Sequence, residues 1–192
     1  METYLTELKP DLLSAYIRVD LHDPGSFCKK AGFHKWWGST ELFYSGGGFP
    51  QSKIEFSVYE DKYFEQYVKV NQECYYPIQK SNDLKPYIAS EKVIKQYKLN
   101  NKENVYLALD NEEIIASVTI GNGEIDNLIV APNYQGKGYG KEALQFGMNK
   151  LLRQGHKEIR ICYMENNTVA ENLYYLLGFK FLQNTHVYRK FL

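Results

Sequence analysis

Residues 124–141, Glu-Ile-Asp-Asn-Leu-Ile-Val-Ala-Pro-Asn-Tyr-Gln-Gly-Lys-Gly-Tyr-Gly-Lys, restrict the fold more than any other stretch. Ile125, Leu128, Ile129 and Val130 read as an apolar strand, and Pro132 ends its pairing because proline cannot donate to a sheet ladder. Gly136, Gly138 and Gly140 let the backbone turn tightly and come close to a ligand with no side chain in the way. Gly140, Ala143, Leu144, Gly147 and Leu151 then recur on one helical face. A strand, a glycine loop and a helix start, in that order, offer free amides at the positive end of a helix dipole. That arrangement favours a phosphate.

Three glycine patterns compete for the ligand. A Walker-type loop needs Gly-Lys followed by Ser or Thr, and Gly136-Lys137 is followed by Gly138, which rules it out. A dinucleotide fingerprint fits Gly138-Tyr139-Gly140-Lys141-Glu142-Ala143, with Glu165 ending the next strand where a ribose-binding acid would sit. That fingerprint follows its strand directly, whereas Pro132–Gln135 intervene here. Too little chain follows Glu165 to build a nucleotide sheet from repeated βαβ units. A glycine match alone is weak.

The third pattern fits better. Gln135-Gly136-Lys137-Gly138-Tyr139-Gly140 resembles the (Gln/Arg)-x-x-Gly-x-(Gly/Ala) pyrophosphate loop of the GNAT acyl-CoA-dependent N-acetyltransferases. Leu128-Ile129-Val130-Ala131-Pro132 resembles the strand that precedes that loop in the family. Asn167-Thr168-Val169-Ala170-Glu171-Asn172-Leu173-Tyr174-Tyr175-Leu176-Leu177-Gly178-Phe179 resembles its second signature, Asn-x-x-Ala-x-x-Leu-Tyr-x-x-x-Gly-Phe. The resemblance is specific over 104–182. It implies an α/β (α+β) fold with a mixed, mostly antiparallel central sheet, a splayed parallel strand pair and flanking helices. Residues 1–192 then form a single domain, with an acetyl-CoA-binding core at 104–182 and a divergent acceptor-side region at 1–100.

Composition narrows the partners. Lysines plus arginines number 23, equal to the acids at 23, so no overall charge argues for nucleic acid. No apolar run approaches the roughly 18 residues of a membrane span, and Met1-Glu2-Thr3-Tyr4 lacks the features of a signal peptide. Cys28, Cys74 and Cys162 are widely spaced and show no metal-ligand pattern. The expectation is a cytoplasmic protein with free thiols, no metal and no membrane partner.

Periodicity supplies the elements. Leu12, Leu13, Tyr16 and Ile17 predict a helix near 10–19, and His22–Ser26 a turn. Leu42–Tyr44 and Ile54–Tyr59 predict strands joined as a hairpin through Gly46, Gly47 and Gly48, with His34, Trp36 and Trp37 packed under a loop. Two helices are expected between 60 and 99. Tyr63, Tyr67, Val70 and Cys74 line one, Leu84, Ile88, Val93 and Tyr97 the other, with Pro77 and Ser81-Asn82 between them. Strands at 105–109, 114–120 and 124–131 form a meander. A helix at 136–153 crosses to a strand at 158–163, which must run parallel to 124–131. A helix at 168–177 and two short strands, 179–182 and 186–191, close the sheet.

The resemblance also assigns chemistry. It implies that Leu128, Ile129 and Val130 run beside the pantetheine arm. Amides from Gln135 through Gly136, Lys137, Gly138, Tyr139 and Gly140 to Lys141 would hold the pyrophosphate, and an amide near Val130 would stabilise the oxyanion. Tyr174 would be the acid that protonates the departing thiolate, with Asn167 capping its helix and touching the CoA arm. A base must deprotonate the acceptor amine, whose pKa is roughly 10.4 if lysine-like. Strand period two puts Glu124, Asp126, Leu128 and Val130 on one face, which makes Glu124 the first candidate base and Asp126 the second. Ordered water is the alternative. Cys162 has no adjacent base to make it a nucleophile, and His156 and His186 read as surface or packing residues. The expected reaction is direct attack of an amine on acetyl-CoA; the alternative is a catalytically silent acyl-CoA-binding sensor. Aminoglycoside-like antibiotics, polyamines, amino acids and protein N-termini all remain open as acceptors.

Overall fold

The sheet is built outward from the meander that the sequence marks most clearly. The computed structural model describes residues 10–19 and 25–192. Strands β4 (Val105–Asp110), β5 (Glu113–Ile120) and β6 (Glu124–Val130) pair antiparallel through short turns. Helix α4 (Tyr139–Arg153) then carries the chain to β7 (Ile159–Met164), which pairs parallel to β6. The remaining strands are β1 (Leu12–Arg18), β2 (His34–Tyr44), β3 (Ser57–Val58) and β8 (Lys180–Phe191). The sheet order is β1-β8-β2-β7-β6-β5-β4-β3, antiparallel at every contact except β6–β7. This is the mixed, mostly antiparallel α/β sheet expected from the sequence.

Helices cover both faces. Under α4 and α5 (Thr168–Leu176) lies a core that includes Leu42, Val118, Ile125, Leu144, Met148 and Ile161. Helix α4 lies so close to the sheet that a Cβ on Gly147 would sit 2.9 Å from Ile125 and Val118. Helices α2 (Phe64–Ser81) and α3 (Glu91–Lys98) cover the other face through Tyr67, Ile94, Leu107, Ile114 and Ile129. Burying these two apolar layers is the main favourable term in folding the chain. A short helix, α1 (Gly25–Lys30), precedes β2. Among the described residues no helix is long and apolar enough to cross a membrane.

Several expectations are corrected. Residues 12–18 form a strand, not a helix: Leu13, Ala15 and Ile17 alternate half-buried with exposed neighbours, and the whole segment pairs with β8. The spacing of Leu12, Leu13, Tyr16 and Ile17 fits both periods, and the available β8 edge decides between them. The predicted turn at 22–26 falls mostly on residues 20–24, outside the described residues, and Gly25 and Ser26 open α1.

Residues 45–56 are not a hairpin, since β2 pairs with β7 and β8 while β3 pairs with β4 at the far edge. Asn149 of α4 holds this crossover, accepting from the Phe49 amide at 2.8 Å and donating to the Phe49 carbonyl at 3.1 Å. Glu142 accepts from Ser52 and the Lys53 amide. Of the predicted strand 54–59, Ser57 and Val58 pair with β4, and the Tyr59 amide donates to the Val105 carbonyl at 2.8 Å.

Pro77 lies inside α2, and α3 starts only after Ser90, whose hydroxyl caps the Val93 amide. Ile94 fills the core, while Val93 and Tyr97 are exposed and Leu84 and Ile88 lie in the connection. The two predicted closing strands are one continuous strand, because β8 pairs with β2 on one side and β1 on the other. Trp36 donates to the Asp83 carbonyl and Trp37 packs edge-on against Tyr16, as packing aromatics.

Candidate active site

The parallel pair that the sequence demands is very short. Glu124 faces Arg160 and Ile125 faces Ile161, and after that β6 and β7 part. A cleft of about 170 Å³ opens between them, walled by Leu128 on β6, Cys162 and Tyr163 on β7, and Tyr174 on α5, with Cys74 and Tyr75 of α2 closing the opposite side. A gap between neighbouring strands leaves backbone edges unpaired, which is what an extended ligand arm can use.

The β5–β6 ladder slips by one residue beside this gap. Thr119 pairs with Asn127 and Ile120 with Ile125, so Asp126 is the extra residue of a β-bulge. Strict alternation is therefore broken at Asp126, a correction to the shared face predicted for 124, 126, 128 and 130. Ile125, Leu128 and Val130 pack against the α4–α5 core, whereas Asn127 bonds toward α2 and Ile129 packs beneath it. The bulge nevertheless leaves Asp126 within hydrogen-bonding reach of Glu124. Desolvation first, then the Glu124 charge and hydrogen bond, push Asp126 up to about 6, against the Lys98 ammonium, which lowers it.

The glycine loop follows the end of β6, where a Cβ on Gly140 would lie 3.5 Å from Val130 and Leu173. Gly136 has φ +74° and Gly138, the residue before α4, has φ +91°, and a Cβ on either would meet nothing within 4 Å. The amides of residues 136–140 have no backbone acceptor among the described residues, since only Lys141 and Glu142 reach back to the Gly138 carbonyl. Open amides at a helix start fit a pyrophosphate. Gln135 turns inward and donates to the Val130 carbonyl at 3.0 Å, which fixes the loop to the end of β6. The Lys137 ammonium lies 5.4 Å from the Tyr134 ring centre.

Tyr174 is 6% exposed and packs edge-on to Tyr163 at 5.8 Å. Its hydroxyl makes no hydrogen bond among the described residues, and the residue lines the cleft. Burial raises its pKa well above that of a free phenol, helped by Tyr75, Cys162 and Tyr163. Asn167 caps α5 by accepting from the Ala170 amide at 3.2 Å and also lines the cleft. Cys162 is accessible, but its surroundings and the Glu41 and Glu124 carboxylates raise its pKa, so it stays a thiol.

Glu165 is engaged within the sheet. It accepts from Lys35 at 2.7 Å and meets His186 at 2.6 Å, clamping the end of β7 to β2 and β8.

The sequence profile of the acetyltransferase (GNAT) family matches residues 57–179. The chain belongs to the GNAT family. Over 88 residues this GNAT chain is 32% identical to the ribosomal protein bS18-alanine N-acetyltransferase of Haemophilus ducreyi, a match covering 42% of this chain and 61% of that protein. A GCN5-related N-acetyltransferase of Sphaerobacter thermophilus shares its fold with TM-score 0.76 at 15% identity, covering 99% of this chain and 65% of that one. A GNAT acetyltransferase of Colwellia psychrerythraea does so with TM-score 0.69 at 16% identity, over 93% of this chain and 65% of that one. The GNAT chain thus spans less than two thirds of the length of each of these relatives.

Cys74, Tyr75, Asn127 and Lys98 belong to the cleft or its support, and no motif marks them. Cys74 donates to the Val130 carbonyl at 3.2 Å, the same carbonyl that Gln135 reaches. The one available signal was the apolar stripe of α2, which contains Cys74 and ends beside Tyr75.

Proposed function

We propose that this GNAT chain transfers an acetyl group from acetyl-CoA to a primary amine by direct attack. The observation that carries this is that Asp126, which Glu124 influences, and the Tyr174 phenol, which makes no hydrogen bond among the described residues, line one cleft between β6 and β7, while the open amides of 136–140 follow the end of β6. The amides bind the pyrophosphate and direct the thioester into the gap. Asp126, supported by Glu124, takes the proton from the acceptor ammonium; with a pKa of about 6 it is mostly ionised at neutral pH yet basic enough to accept. The neutral nitrogen adds to the thioester carbonyl, and the tetrahedral adduct expels the CoA sulfur as its carbon–sulfur bond breaks. Tyr174 gives its proton to that thiolate, whose own pKa is roughly 8.5, and the adduct nitrogen gives up its second proton to restore the phenol. The raised pKa of Tyr174 keeps the phenol protonated until the sulfur leaves. No protein nucleophile takes part, which agrees with the un-ionised Cys162.

The acceptor is tested with a thiol-release panel. It contains an alanine-initiated peptide, suggested by the name of the Haemophilus relative, spermidine, free amino acids and an aminoglycoside. Acetyl-CoA should raise the melting temperature, and one amine class should release CoA thiol. Tyr174→Phe should lower turnover by roughly 10²–10⁴-fold and keep the acetyl-CoA shift. An unchanged rate would remove Tyr174 as the acid, and stabilisation without thiol release from any amine would favour a binding module.

A further inference from the structure

The α2–α3 layer holds a charge that the acetyl-transfer reading leaves unused. Lys98, in the last turn of α3, is half-buried and makes no ion pair with any described carboxylate. A desolvated ammonium is costly unless negative charge offsets it. Its position is fixed from both ends: Ile94 and Leu99 are buried, and Gln72 of α2 donates to the Ala89 carbonyl just before α3.

The Lys98 ammonium donates to the Tyr75 hydroxyl at 3.4 Å and lies 4.7 Å from the Tyr75 ring centre. The Tyr75 hydroxyl donates onward to the Asn127 side-chain carbonyl, and the Asn127 amide donates to Tyr67 at 3.4 Å. Lys98, Tyr75, Asn127 and Tyr67 therefore form one directed chain of donors, and its Asn127 link adjoins the bulge residue Asp126. The titratable groups that line the cleft with Asp126 are Cys74 and Tyr75 of α2, Cys162 and Tyr163 of β7 and Tyr174 of α5; the Lys98 charge of α3 acts on Asp126, and the Glu124 charge on Cys162. Arg160 of β7 stands opposite Glu124 but is engaged by Glu158 at 3.0 Å and Glu41 of β2 at 3.8 Å. Among the described residues, Lys98 is thus the cation whose charge acts on Asp126, against burial and Glu124.

We propose that Lys98 is a positioning residue for acetyl transfer: seated on Tyr75, it keeps the Glu124–Asp126 pair in its proton-accepting form and steadies the bulge through Asn127. This rests on the reading of Asp126 as base. The test follows the Asp126 side-chain carboxyl by carbon-13 NMR over pH in the full chain, as wild type, Lys98→Met and Lys98→Arg. Lys98→Met should move the Asp126 midpoint to higher pH, and Lys98→Arg should restore it, with acetyl-CoA affinity unchanged in both. A midpoint that stays in place in Lys98→Met overturns the proposal. Should Lys98→Met fail to fold, Lys98→Gln is read in the same way.

The pH profile of kcat/KM, with acetyl-CoA and whichever amine of the panel releases thiol, separates the two claims. Its acidic limb should follow the NMR midpoint, costing about tenfold in rate below the midpoint for each unit moved. A midpoint that moves under an unmoved limb would overturn the base assignment, not the coupling to Lys98.

Discussion

Asp126, the base proposed above, would set the pH dependence of the reaction. A base works deprotonated, and desolvation together with Glu124 lifts Asp126 to about 6, so kcat/KM should fall as pH drops through that value. An unperturbed aspartate, at roughly 3.9, would put the fall much lower. Asp126→Asn should remove this limb and lower kcat/KM by roughly 10²–10⁴-fold, read from pH profiles at fixed acetyl-CoA. A profile that keeps its limb in the variant would point to Glu124 or to water. Tyr174, Asn167 and the glycine loop were legible in the sequence because each belongs to a local motif. Lys98 and Tyr75 were not, since their roles rest on a hydrogen-bond chain that links α3 to β6 across more than 20 positions of sequence.

Helix α4 does two jobs on opposite ends. Its N-terminus presents the open amides, while Asn149, 8% exposed, holds the backbone of the 45–56 crossover at Phe49. Asn149→Ala leaves the half-buried amide and carbonyl of Phe49 without their partner, a cost of at most roughly 1–3 kcal/mol for each group. Thermal unfolding should show a drop of roughly 2–4 °C for each kcal/mol lost. The stabilisation by acetyl-CoA should persist, because the glycine loop lies at the other end of the helix. An unchanged melting temperature would mean that the crossover holds itself. The sequence shows the apolar face of α4 plainly, but not what Asn149 binds, because a polar side chain on a helix reads the same whether it meets water or a distant backbone.

At the scale of the whole molecule, the sheet is continuous from β1 to β3 yet weakly joined at β6–β7, where two residue pairs face each other. Amides of residues 126–130 on the β7 side and of 136–140 should exchange hydrogen readily in the free protein and slow when acetyl-CoA binds. Equal exchange with and without acetyl-CoA would place the ligand elsewhere. The sequence by itself determined the meander from 105 to 130, the glycine loop with α4, and the Asn167-capped helix that bears Tyr174. Their patterns repeat over a few neighbouring residues, and local sterics and capping suffice to read them. Only the tertiary structure decided that 12–18 is a strand, that 45–56 crosses the sheet, that 180–191 is unbroken, and that Asp126 bulges toward Glu124. Each of these depends on a partner far away in the chain, an open edge, a facing helix or a slipped ladder. Residue order alone carries no record of which distant surface will be there to meet it.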